Sequence, residues 1–234
     1  MKQKPVPPAL IPFLEGKVLL IDKPLNWTSF DMVKKVRWLT KIMKVGHAGT
    51  LDPLATGLLI ICTGKFTKQI NDYMGMQKEY TGSMVLGATT ASYDLEQEPE
   101  NFKPIDTITA LAIQDATKQF IGTIFQLPPQ HSAIKKDGKR LYESARQGIE
   151  VKVDPRQITI EQFEITKIDL PTVEFRVLCS TGTYIRSLVH DFGQALGVGA
   201  YMSGLRRTKI GTFNVEDAIQ WEVLETEIND LLEG

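Results

Sequence analysis

Two neighbouring segments with alternating apolar and polar residues constrain the fold of this chain most. The alternation runs through residues 156–168 and 172–180. The apolar face of the second segment consists of Val173, Phe175, Val177 and Cys179. A period of two predicts strands that bury one face, and the three-residue connection 169–171 predicts that they pair as an antiparallel hairpin.

Further strands and helices follow in mixed order along the chain. Apolar runs and alternation predict strands at 17–22, 58–63, around Tyr80 to Leu86, and 120–126. Capping residues and apolar periodicity predict helices from Thr28-Ser29 to about Ile42, at 65–74, at 107–118, around 141–147 and from about Thr183 to Leu196. The pattern indicates a single α+β domain over residues 1–234, built on a largely antiparallel sheet.

The distribution of apolar residues also bears on location. The longest uninterrupted apolar runs have four or five residues, as at 58–62, whereas a membrane-spanning helix needs roughly twenty. Several prolines interrupt the N-terminal segment where a secretory peptide needs an apolar stretch. We therefore predict no membrane segment and a cytoplasmic protein.

The net charge of −1 conceals an uneven distribution. The last 21 residues carry seven acids and no base, which leaves +6 on residues 1–213, and we predict an acidic C-terminal helix over 214–234. Between Lys34 and Lys68 seven bases face one acid, Asp52, and further bases lie between Lys135 and Arg146. Such stretches suit phosphate binding, although ordinary solvated surface is an equally good interpretation.

Two segments have the features of loops. Residues 45–57, VGHAGTLDPLATG, contain three glycines and a proline between basic flanks. Residues 127–140, LPPQHSAIKKDGKR, lack any periodicity, and long loops inside a compact domain are commonly functional. Residues 88–106 are acidic and rich in turn-forming residues.

The motifs of common cofactor sites are absent from the sequence. Gly64-Lys65 lacks the spacing of a phosphate-binding loop, and Gly197-Val198-Gly199 does not continue as a dinucleotide fingerprint. The three histidines are scattered, without a metal partner at helical spacing. We therefore predict no cofactor and no metal.

Asp52 is the most informative single residue. It is the sole carboxylate in a glycine-rich loop between bases, an environment in which it stays ionised and can act as a nucleophile or base. Asp before Pro is also a common turn former. Pattern alone leaves both interpretations open, and it does not decide whether Arg186 and Tyr80 belong to a site.

The loop GHAGTLDPLATGLL (46–59) closely resembles the catalytic motif of the TruB-type tRNA pseudouridine synthases, which make pseudouridine 55 in the T loop of tRNA. Further matching segments occur in the same order: IDKPLNWTS (21–29), KEYTGSMVLGATTASYD (78–94), LPPQHSAIKKDGKRLYESARQG (127–148), CSTGTYIRSLVHDFG (179–193) and LRRTKIGTF (205–213). The resemblance covers nearly the whole chain. It implies the pseudouridine synthase fold, with a central, largely antiparallel mixed sheet flanked by helices and loops.

The resemblance assigns residues to a site. Asp52 would be the essential carboxylate, attacking C1′ or removing a proton from C2′, and Arg186 would pair with it. Tyr80 would stack on the base and accept or relay the C5 proton. A T-loop uridine is stacked, so the reaction requires base flipping. His47 would contact the displaced RNA.

Three more positions match residues that line the uridine pocket of the family. They are Tyr184, Leu205 and Asp94, although core packing is an alternative for Leu205 and a surface position for Asp94. Residues 127–148 correspond to an insertion that closes over the T stem-loop. Asn26 stands where the family commonly has glycine, but Asn also tolerates left-handed backbone geometry.

The resemblance further implies the partner and the alternatives. The substrate would be the T stem-loop of tRNA, bound by a monomer that needs no protein partner. We expect the C-terminal PUA-type domain of many family members to be absent. The alternatives are a guide-RNA-dependent synthase acting on ribosomal RNA and a chaperone that binds the T arm without modifying it.

Overall fold

A computed structural model describes residues 6–132, 135–136, 139–141, 149 and 151–233 of the chain. The strands are β1 (Val18–Lys23), β2 (Val45–His47), β3 (Ala55–Thr63), β4 (Lys78–Leu86), β5 (Gly122–Gln126), β6 (Lys135–Lys136), β7 (Lys139–Arg140), β8 (Arg156–Asp169), β9 (Thr172–Cys179), β10 (Ala200–Ile210), β11 (Phe213–Asn214) and β12 (Ile219–Gln220). The α-helices are α1 (Ile11–Glu15), α2 (Ser29–Thr40), α3 (Ile70–Gly75), α4 (Ala110–Ala116), α5 (Ile185–Ala195) and α6 (Trp221–Glu233).

Ten of these strands form one mixed sheet. Its order is β12, β1, β3, β10, β4, β9, β8 and β5, with β11 beside β10 and β2 beside β3, while β6 and β7 form a separate pair. This confirms the predicted α+β class and the mixed sheet. None of the helices in the described ranges is both long and apolar enough to cross a membrane.

The chain divides into two compact units. Unit 1 comprises Met1–Glu79 and Arg206–Gly234, and unit 2 comprises Tyr80–Leu205. The strands β4 and β10 each contribute residues to both units. Whether the whole chain acts as one catalytic domain, as its sequence suggests, stays a prediction.

Unit 1 is built on an antiparallel pair. Residues 18–23 of β1 pair with 62–57 of β3, and β12 adds to β1 in parallel. The short strand β2 pairs with the other edge of β3, from Val45 opposite Thr63 to His47 opposite Ile61. Beyond His47 the chain leaves β2, and residues 48–54 connect it to the start of β3 at Ala55.

Helix α2 begins at a capping box. The Thr28 Oγ1 accepts a hydrogen bond from the Asp31 backbone N–H at 3.0 Å, and the Asp31 carboxylate accepts one from the Thr28 N–H at 3.2 Å. Two N–H groups that the helix cannot pair internally are thereby satisfied. The helix ends before Lys41, which has a left-handed backbone. Thr40, rather than about Ile42, is therefore its last residue.

One side of α2 belongs to the core of unit 1. The buried residues of this core come from α2, β1, β3 and α6, among them Met32, Val33, Val36, Leu39, Ile21, Leu59, Ile61, Trp221 and Leu224. Each fully buried side chain of this kind stabilises the fold by about 1.5–3 kcal/mol. The opposite side of α2 faces solvent.

Unit 2 contains the predicted hairpin. The strands β8 and β9 are antiparallel, with Asp169 opposite Thr172 at the turn, and β5 pairs with the outer edge of β8. The alternating face of β9 that the sequence predicts is buried. The Phe163 ring lies near those of Phe175, Phe192 and Phe120, at 5.4–6.2 Å between centroids. This cluster packs α5 (Ile185–Ala195) against the hairpin.

Several predicted boundaries differ from the structure. The ends of the predicted 45–57 loop belong to β2 and β3, and the predicted helix at 65–74 begins as a 3-10 helix (Gly64–Gln69). The predicted 127–140 loop contains the paired strands β6 and β7. Short-range patterning does not reveal such two- or three-residue strands, because they form through pairing rather than propensity. The predicted helix around 141–147 lies outside the described residues, apart from Leu141.

The C-terminal segment is a helix over part of the predicted range. Residues 214–220 form the end of β11, a 3-10 helix (Val215–Asp217) and β12, and α6 begins at Trp221. The first turn of this helix carries Glu222 and its last turn carries no base.

Candidate active site

The Asp52 loop, residues 48–54 between β2 and β3, is attached to α2. The Ser29 Oγ accepts a hydrogen bond from the Leu51 N–H at 2.8 Å and donates one to the Leu51 carbonyl at 3.1 Å. The Arg37 guanidinium donates to the Val45 carbonyl at 2.8 Å. Because Ser29 is buried, its hydroxyl replaces water as the partner of both backbone groups.

The Asp52 loop also contacts the turn after β1. The Asn26 N–H donates to the Pro53 carbonyl at 2.9 Å, and Asn26 has φ +65°. The left-handed geometry expected at this position is therefore confirmed. The turn IDKPLNWTS thus contacts the residue that directly follows Asp52.

Lys23 is a fully buried cation beneath this turn. Its Nζ donates to the carbonyls of Trp27 at 2.6 Å and Pro24 at 2.9 Å, and lies 3.5 Å from the Pro53 carbonyl. Burial lowers the pKa of Lys23 to about 8, the Asp52 charge opposes this shift, and the Arg207 charge adds to it. Lys23 therefore links the N-terminal turn to the Asp52 loop and lies within electrostatic range of the carboxylate.

Arg207 is a second buried cation in unit 1. Its Nε donates to the Leu58 carbonyl at 2.8 Å and its Nη2 to the Gly49 carbonyl at 3.1 Å, which joins the start of the Asp52 loop to β3. The backbone of Arg207 also approaches Gly57 closely. A Cβ at position 57 would lie 2.3 Å from the Arg207 carbonyl oxygen, and Gly57 has φ +100°. Glycine is therefore required there.

Asp52 itself is half-buried in this setting. Its carbonyl accepts a hydrogen bond from the Ala55 N–H at 3.0 Å, which closes a tight turn around Pro53. Two buried cations and the α2 hydroxyl fix the backbone on either side of it. A half-exposed carboxylate on a fixed loop is suited to react with a bound substrate, because little reorganisation is needed when the substrate arrives.

His47 lies at the end of β2, just before the Asp52 loop. The pKa of His47 is lowered, mainly because the imidazole is largely buried and further because Arg207 is positively charged. The imidazole is therefore neutral at pH 7. It can donate or accept a hydrogen bond to RNA but does not supply a positive charge for phosphate.

In unit 2, Arg186 and Asp94 form a buried ion pair. The Arg186 Nε lies 3.6 Å from the Asp94 Oδ2, and both side chains are at most 5% exposed. The guanidinium also donates to the carbonyls of Ser92 at 3.1 Å and His131 at 2.9 Å. This burial excludes the surface position that was the alternative for Asp94.

The turn that carries Asp94 is held by its own side chains. The hydroxyls of Thr90 and Ser92 donate to the Asp94 carbonyl at 2.7 and 3.2 Å, and the Asp94 Oδ1 accepts from the Glu96 N–H at 3.0 Å. Because His131 lies within the predicted RNA-binding insertion, residues 127–148, Arg186 connects this turn to that insertion.

The other predicted residues of unit 2 lie on three different elements. Tyr184 precedes α5, and its backbone N–H and carbonyl both bond the buried Gln126 amide, at 2.8 and 3.0 Å. Tyr80 is buried in β4, and Leu205 is partly exposed in β10. Tyr184 is two residues before Arg186 in the sequence.

The structure therefore brings the predicted residues together in two groups. Unit 1 holds Asp52 on its loop and His47 at the end of the preceding strand β2, and unit 2 holds the Arg186–Asp94 pair with Tyr184 close in sequence. The predicted pairing of Arg186 with Asp52 involves one residue from each unit and stays a prediction. Throughout the described ranges, no group of three His, Cys, Asp or Glu side chains could hold a metal ion.

Sequence reasoning missed Lys23, Arg207 and Gln126. Lys23 and Arg207 lie in the segments IDKPLNWTS and LRRTKIGTF, but nothing in a sequence distinguishes a buried lysine or arginine from the many at the surface. Gln126 ends an apolar strand, and a polar residue in that position was the one available signal.

Comparison with protein-family models identifies the family of the chain. Residues 37–185 match the family model of the TruB family pseudouridylate synthase N-terminal domain. Residues 186–231 match that of the tRNA pseudouridylate synthase B C-terminal domain. The chain belongs to the TruB family. It is therefore a pseudouridine synthase.

Individual relatives of this TruB-family chain agree. It is 55% identical over 220 residues to the tRNA pseudouridine synthase B of Flavobacterium johnsoniae, covering 91% of this chain and 96% of that protein. It is 47% identical over 227 residues to the tRNA pseudouridine synthase B of Parabacteroides distasonis, covering 94% and 95%.

Solved structures confirm the fold. A chain from the crystal structure of a Cbf5-Nop10-Gar1 complex superimposes with a TM-score of 0.73 at 32% identity. The superposition covers 94% of this TruB-family chain but 56% of that one. This chain therefore spans little more than half the length of that structural relative.

Proposed function

We propose that this chain isomerises uridine 55 in the T loop of tRNA to pseudouridine in the cytoplasm. The family membership supports the reaction, and the names of the relatives from Flavobacterium johnsoniae and Parabacteroides distasonis support tRNA as the substrate. The close match between residues 46–59 and the family's catalytic motif supports Asp52 as the essential carboxylate.

The observation that carries the proposal is the support of the Asp52 loop by Lys23 and Arg207. Burying a cation costs free energy unless it is hydrogen-bonded and faces compensating charge. Both cations bond backbone carbonyls around the loop, and Lys23 also interacts with the Asp52 charge. This arrangement fixes one carboxylate at the surface of a rigid scaffold, as a catalytic group requires.

In the proposed reaction the uracil N1–C1′ bond breaks and a C5–C1′ bond forms. Asp52 begins the reaction either by attacking C1′ or by removing the C2′ proton. When C5 of the turned base bonds C1′, the Asp52–C1′ bond breaks in the first route, and C2′ regains its proton in the second. C5 then loses its proton and N1 gains one, so the product is an isomer of the substrate. The atoms balance without an oxidant, a reductant or a nucleotide cofactor.

The remaining predicted residues serve the base and the RNA. We propose that Tyr80 stacks on uracil and accepts or relays the C5 proton, and that Arg186 pairs with Asp52 when RNA is bound. Tyr184, Leu205 and Asp94 would line the uridine pocket. Flipping the base out of the T loop costs a few kcal/mol, which contacts to the displaced RNA must offset. His47, at the edge of the Asp52 loop, is placed to make one of them.

Residues 127–148 would close over the T stem-loop. The hydrogen bond from Arg186 to the His131 carbonyl supports this role, because it ties the start of the insertion to the ion pair that we place at the uridine pocket. Closure of the insertion and formation of the pocket would then depend on the same guanidinium. We expect the enzyme to act as a monomer without a protein partner.

The direct test is to incubate the purified chain with an unmodified tRNA transcript in EDTA and to map pseudouridine by carbodiimide labelling and primer extension. We expect one stop, at position 55. A transcript with cytidine at position 55 is the matched control and should give none. Stops at other uridines, or none at all, would overturn the proposed specificity.

The same experiment separates the alternatives. A guide-RNA-dependent synthase would leave the free transcript unmodified and would require partner proteins and a guide. A chaperone would bind the transcript and leave it unmodified. The Tyr80→Phe variant adds a second arm: we expect tRNA binding within about twofold of wild type and a product rate lowered at least about 100-fold.

A further inference from the structure

One exposed face of α2 alternates aromatic rings with cations. Phe30, Lys34, Arg37 and Trp38 are spaced at i, i+4, i+7 and i+8, which places them along one side of the helix, and Lys41 directly follows its last residue. We call these five residues the aromatic-basic face. The Lys34 Nζ lies 4.9 Å from the Phe30 ring centroid, and the Lys41 Nζ lies 4.7 Å from that of Trp38.

Packing of the fold does not account for the two rings. Trp38 is 59% exposed and Phe30 is 51% exposed, whereas the apolar residues that attach α2 to the core lie on its opposite side. An exposed ring with a cation against it presents a flat apolar surface beside a positive charge. Unpaired nucleotides match both features, since the base stacks on the ring and the phosphate contacts the cation.

The aromatic-basic face continues from the Asp52 loop. Phe30 directly follows Ser29, whose hydroxyl bonds Leu51, and Arg37 bonds the carbonyl of Val45. From residue 30 to residue 38 the helix rises about 12 Å, the length of a few stacked nucleotides. RNA bound at Asp52 is therefore adjacent to this face within unit 1.

The charge of the region fits a polyanion. Between Lys34 and Lys68 the sequence has seven bases and one acid, Asp52. On α2 itself Asp31 pairs with Lys34 at 3.1 Å, and Glu225 of α6 lies 3.6 Å from Lys35. Because these pairs are exposed or partly exposed, they are weak and screened, so phosphates can compete for the lysines. An acidic protein partner would also satisfy the charge, but it would not require two exposed rings spaced along a basic helix.

We propose that the aromatic-basic face binds unpaired nucleotides of the tRNA substrate outside the T stem-loop. Bases stack on Phe30 and Trp38, and phosphates contact Lys34 and Lys41. The face adds affinity for whole tRNA that the isolated T stem-loop does not receive. This inference rests on the proposed function, because it takes tRNA as the substrate.

The test compares a Phe30→Ala/Trp38→Ala double variant with wild type in filter binding of full-length tRNA and of the isolated T stem-loop. We expect full-length tRNA to bind at least about tenfold more weakly and the stem-loop to bind within about twofold of wild type. A Phe102→Ala/Phe125→Ala variant removes two rings that are 76% and 73% exposed, and should change neither affinity. Thermal melting of each variant verifies the fold.

A third RNA identifies the source of the unpaired nucleotides. If they are the 3′ end, tRNA trimmed of its unpaired 3′ nucleotides will bind wild type as weakly as full-length tRNA binds the double variant. If they belong to a loop, the effect of the double variant will persist on the trimmed tRNA. Either result supports the proposal. A Lys34→Gln/Lys41→Gln variant should lower the salt dependence of full-length tRNA binding by about two released ions.

The proposal would be overturned if the double variant bound both RNAs more weakly to the same degree, or if it bound both as tightly as wild type does. The second result would favour a protein partner for this face. The outcome is separable from the proposed function. If the double variant converts the stem-loop at the wild-type rate, the catalytic assignment stands whatever the affinities show. If wild type converts neither RNA, the proposed function fails first.

Discussion

Both units contain buried cations, but the groups that stabilise the buried positive charge differ between the units. In unit 1, Lys23 and Arg207 bond mainly backbone carbonyls, and the carboxylate within electrostatic range of Lys23 is the half-buried Asp52. In unit 2, Arg186 is paired with Asp94, and both are almost completely buried. The carbonyls in unit 1 satisfy hydrogen bonds without neutralising charge, whereas Asp94 neutralises Arg186 directly.

This difference separates two roles for a carboxylate. Asp94 is enclosed and holds a turn and an arginine in place, so removing it should act first on stability. Asp52 is accessible on a loop fixed by other residues, so removing it should act on the reaction and little on the fold. The following predictions test this contrast.

The largest effect on stability is expected in unit 2. Asp94→Ala leaves the Arg186 guanidinium buried without its carboxylate, and should lower the free energy of unfolding by about 3–5 kcal/mol. The matched control, Asp169→Ala, removes an acid that is 77% exposed beside Lys167 and should cost less than about 1 kcal/mol. Thermal melting measures both. Equal melting temperatures for the two variants would mean that the Asp94–Arg186 pair does not stabilise unit 2.

The next effect concerns Lys23 and depends on pH. Its pKa is about 8 in the folded protein and 10.5 as the ordinary value, so between these values the unfolded chain binds more protons. The contribution of Lys23 to the free energy of unfolding should therefore rise with pH, by about 3 kcal/mol between pH 8 and 10.5. In the Lys23→Met variant, this increase in the free energy of unfolding should be absent.

Denaturant unfolding of wild type and Lys23→Met at several pH values between 7.5 and 10 checks this sign. The unfolding free energy of wild type should increase relative to that of Lys23→Met as pH increases. A difference that stays constant with pH would show that Lys23 is not buried as a cation beside Asp52.

A smaller loss is expected for Arg207→Met. The substitution leaves the carbonyls of Leu58 and Gly49 without their charged donor, at a cost of about 2–3 kcal/mol. Because these bonds join the start of the Asp52 loop to β3, the rate of product formation should fall more than tRNA affinity does. Lys209→Met is the control. The Lys209 side chain is 45% exposed and lies 3.8 Å from the Glu79 carboxylate, and its substitution should leave the rate unchanged. Loss of affinity alone would place Arg207 in RNA binding instead.

The smallest effect is a gain in stability. Asp191 on α5 is a carboxylate whose pKa burial raises to about 6 from 3.8, so the folded protein binds more protons between these values and its stability falls as pH rises through them. Asp191→Asn should therefore raise the melting temperature at pH 7 by an amount equivalent to about 1–2 kcal/mol. Below about pH 4 the two proteins should melt alike, and a gain at both pH values would contradict the assignment.

The sequence predicts the local elements of this fold better than its buried charges. The hairpin β8–β9, the cap of α2 at Thr28 and the left-handed Asn26 follow from alternation, capping chemistry and backbone preference, which are properties of neighbouring residues. The strands β2, β6 and β7 escape prediction because pairing forms them. The roles proposed for Asp52, His47 and Arg186 come from resemblance to a family, whereas the burial of Lys23, Arg207 and Asp94 arises from tertiary packing and leaves no local signal.

The most direct measurement is single-turnover pseudouridine formation by the Asp52→Asn variant with enzyme in excess over tRNA. Asp72→Asn, at an exposed acid in α3, is the matched control. The account predicts that Asp52→Asn melts and binds tRNA like wild type while its rate falls at least about 1000-fold, and that Asp72→Asn keeps the wild-type rate. An Asp52→Asn rate within tenfold of wild type would contradict the central claim that this loop carries the essential carboxylate.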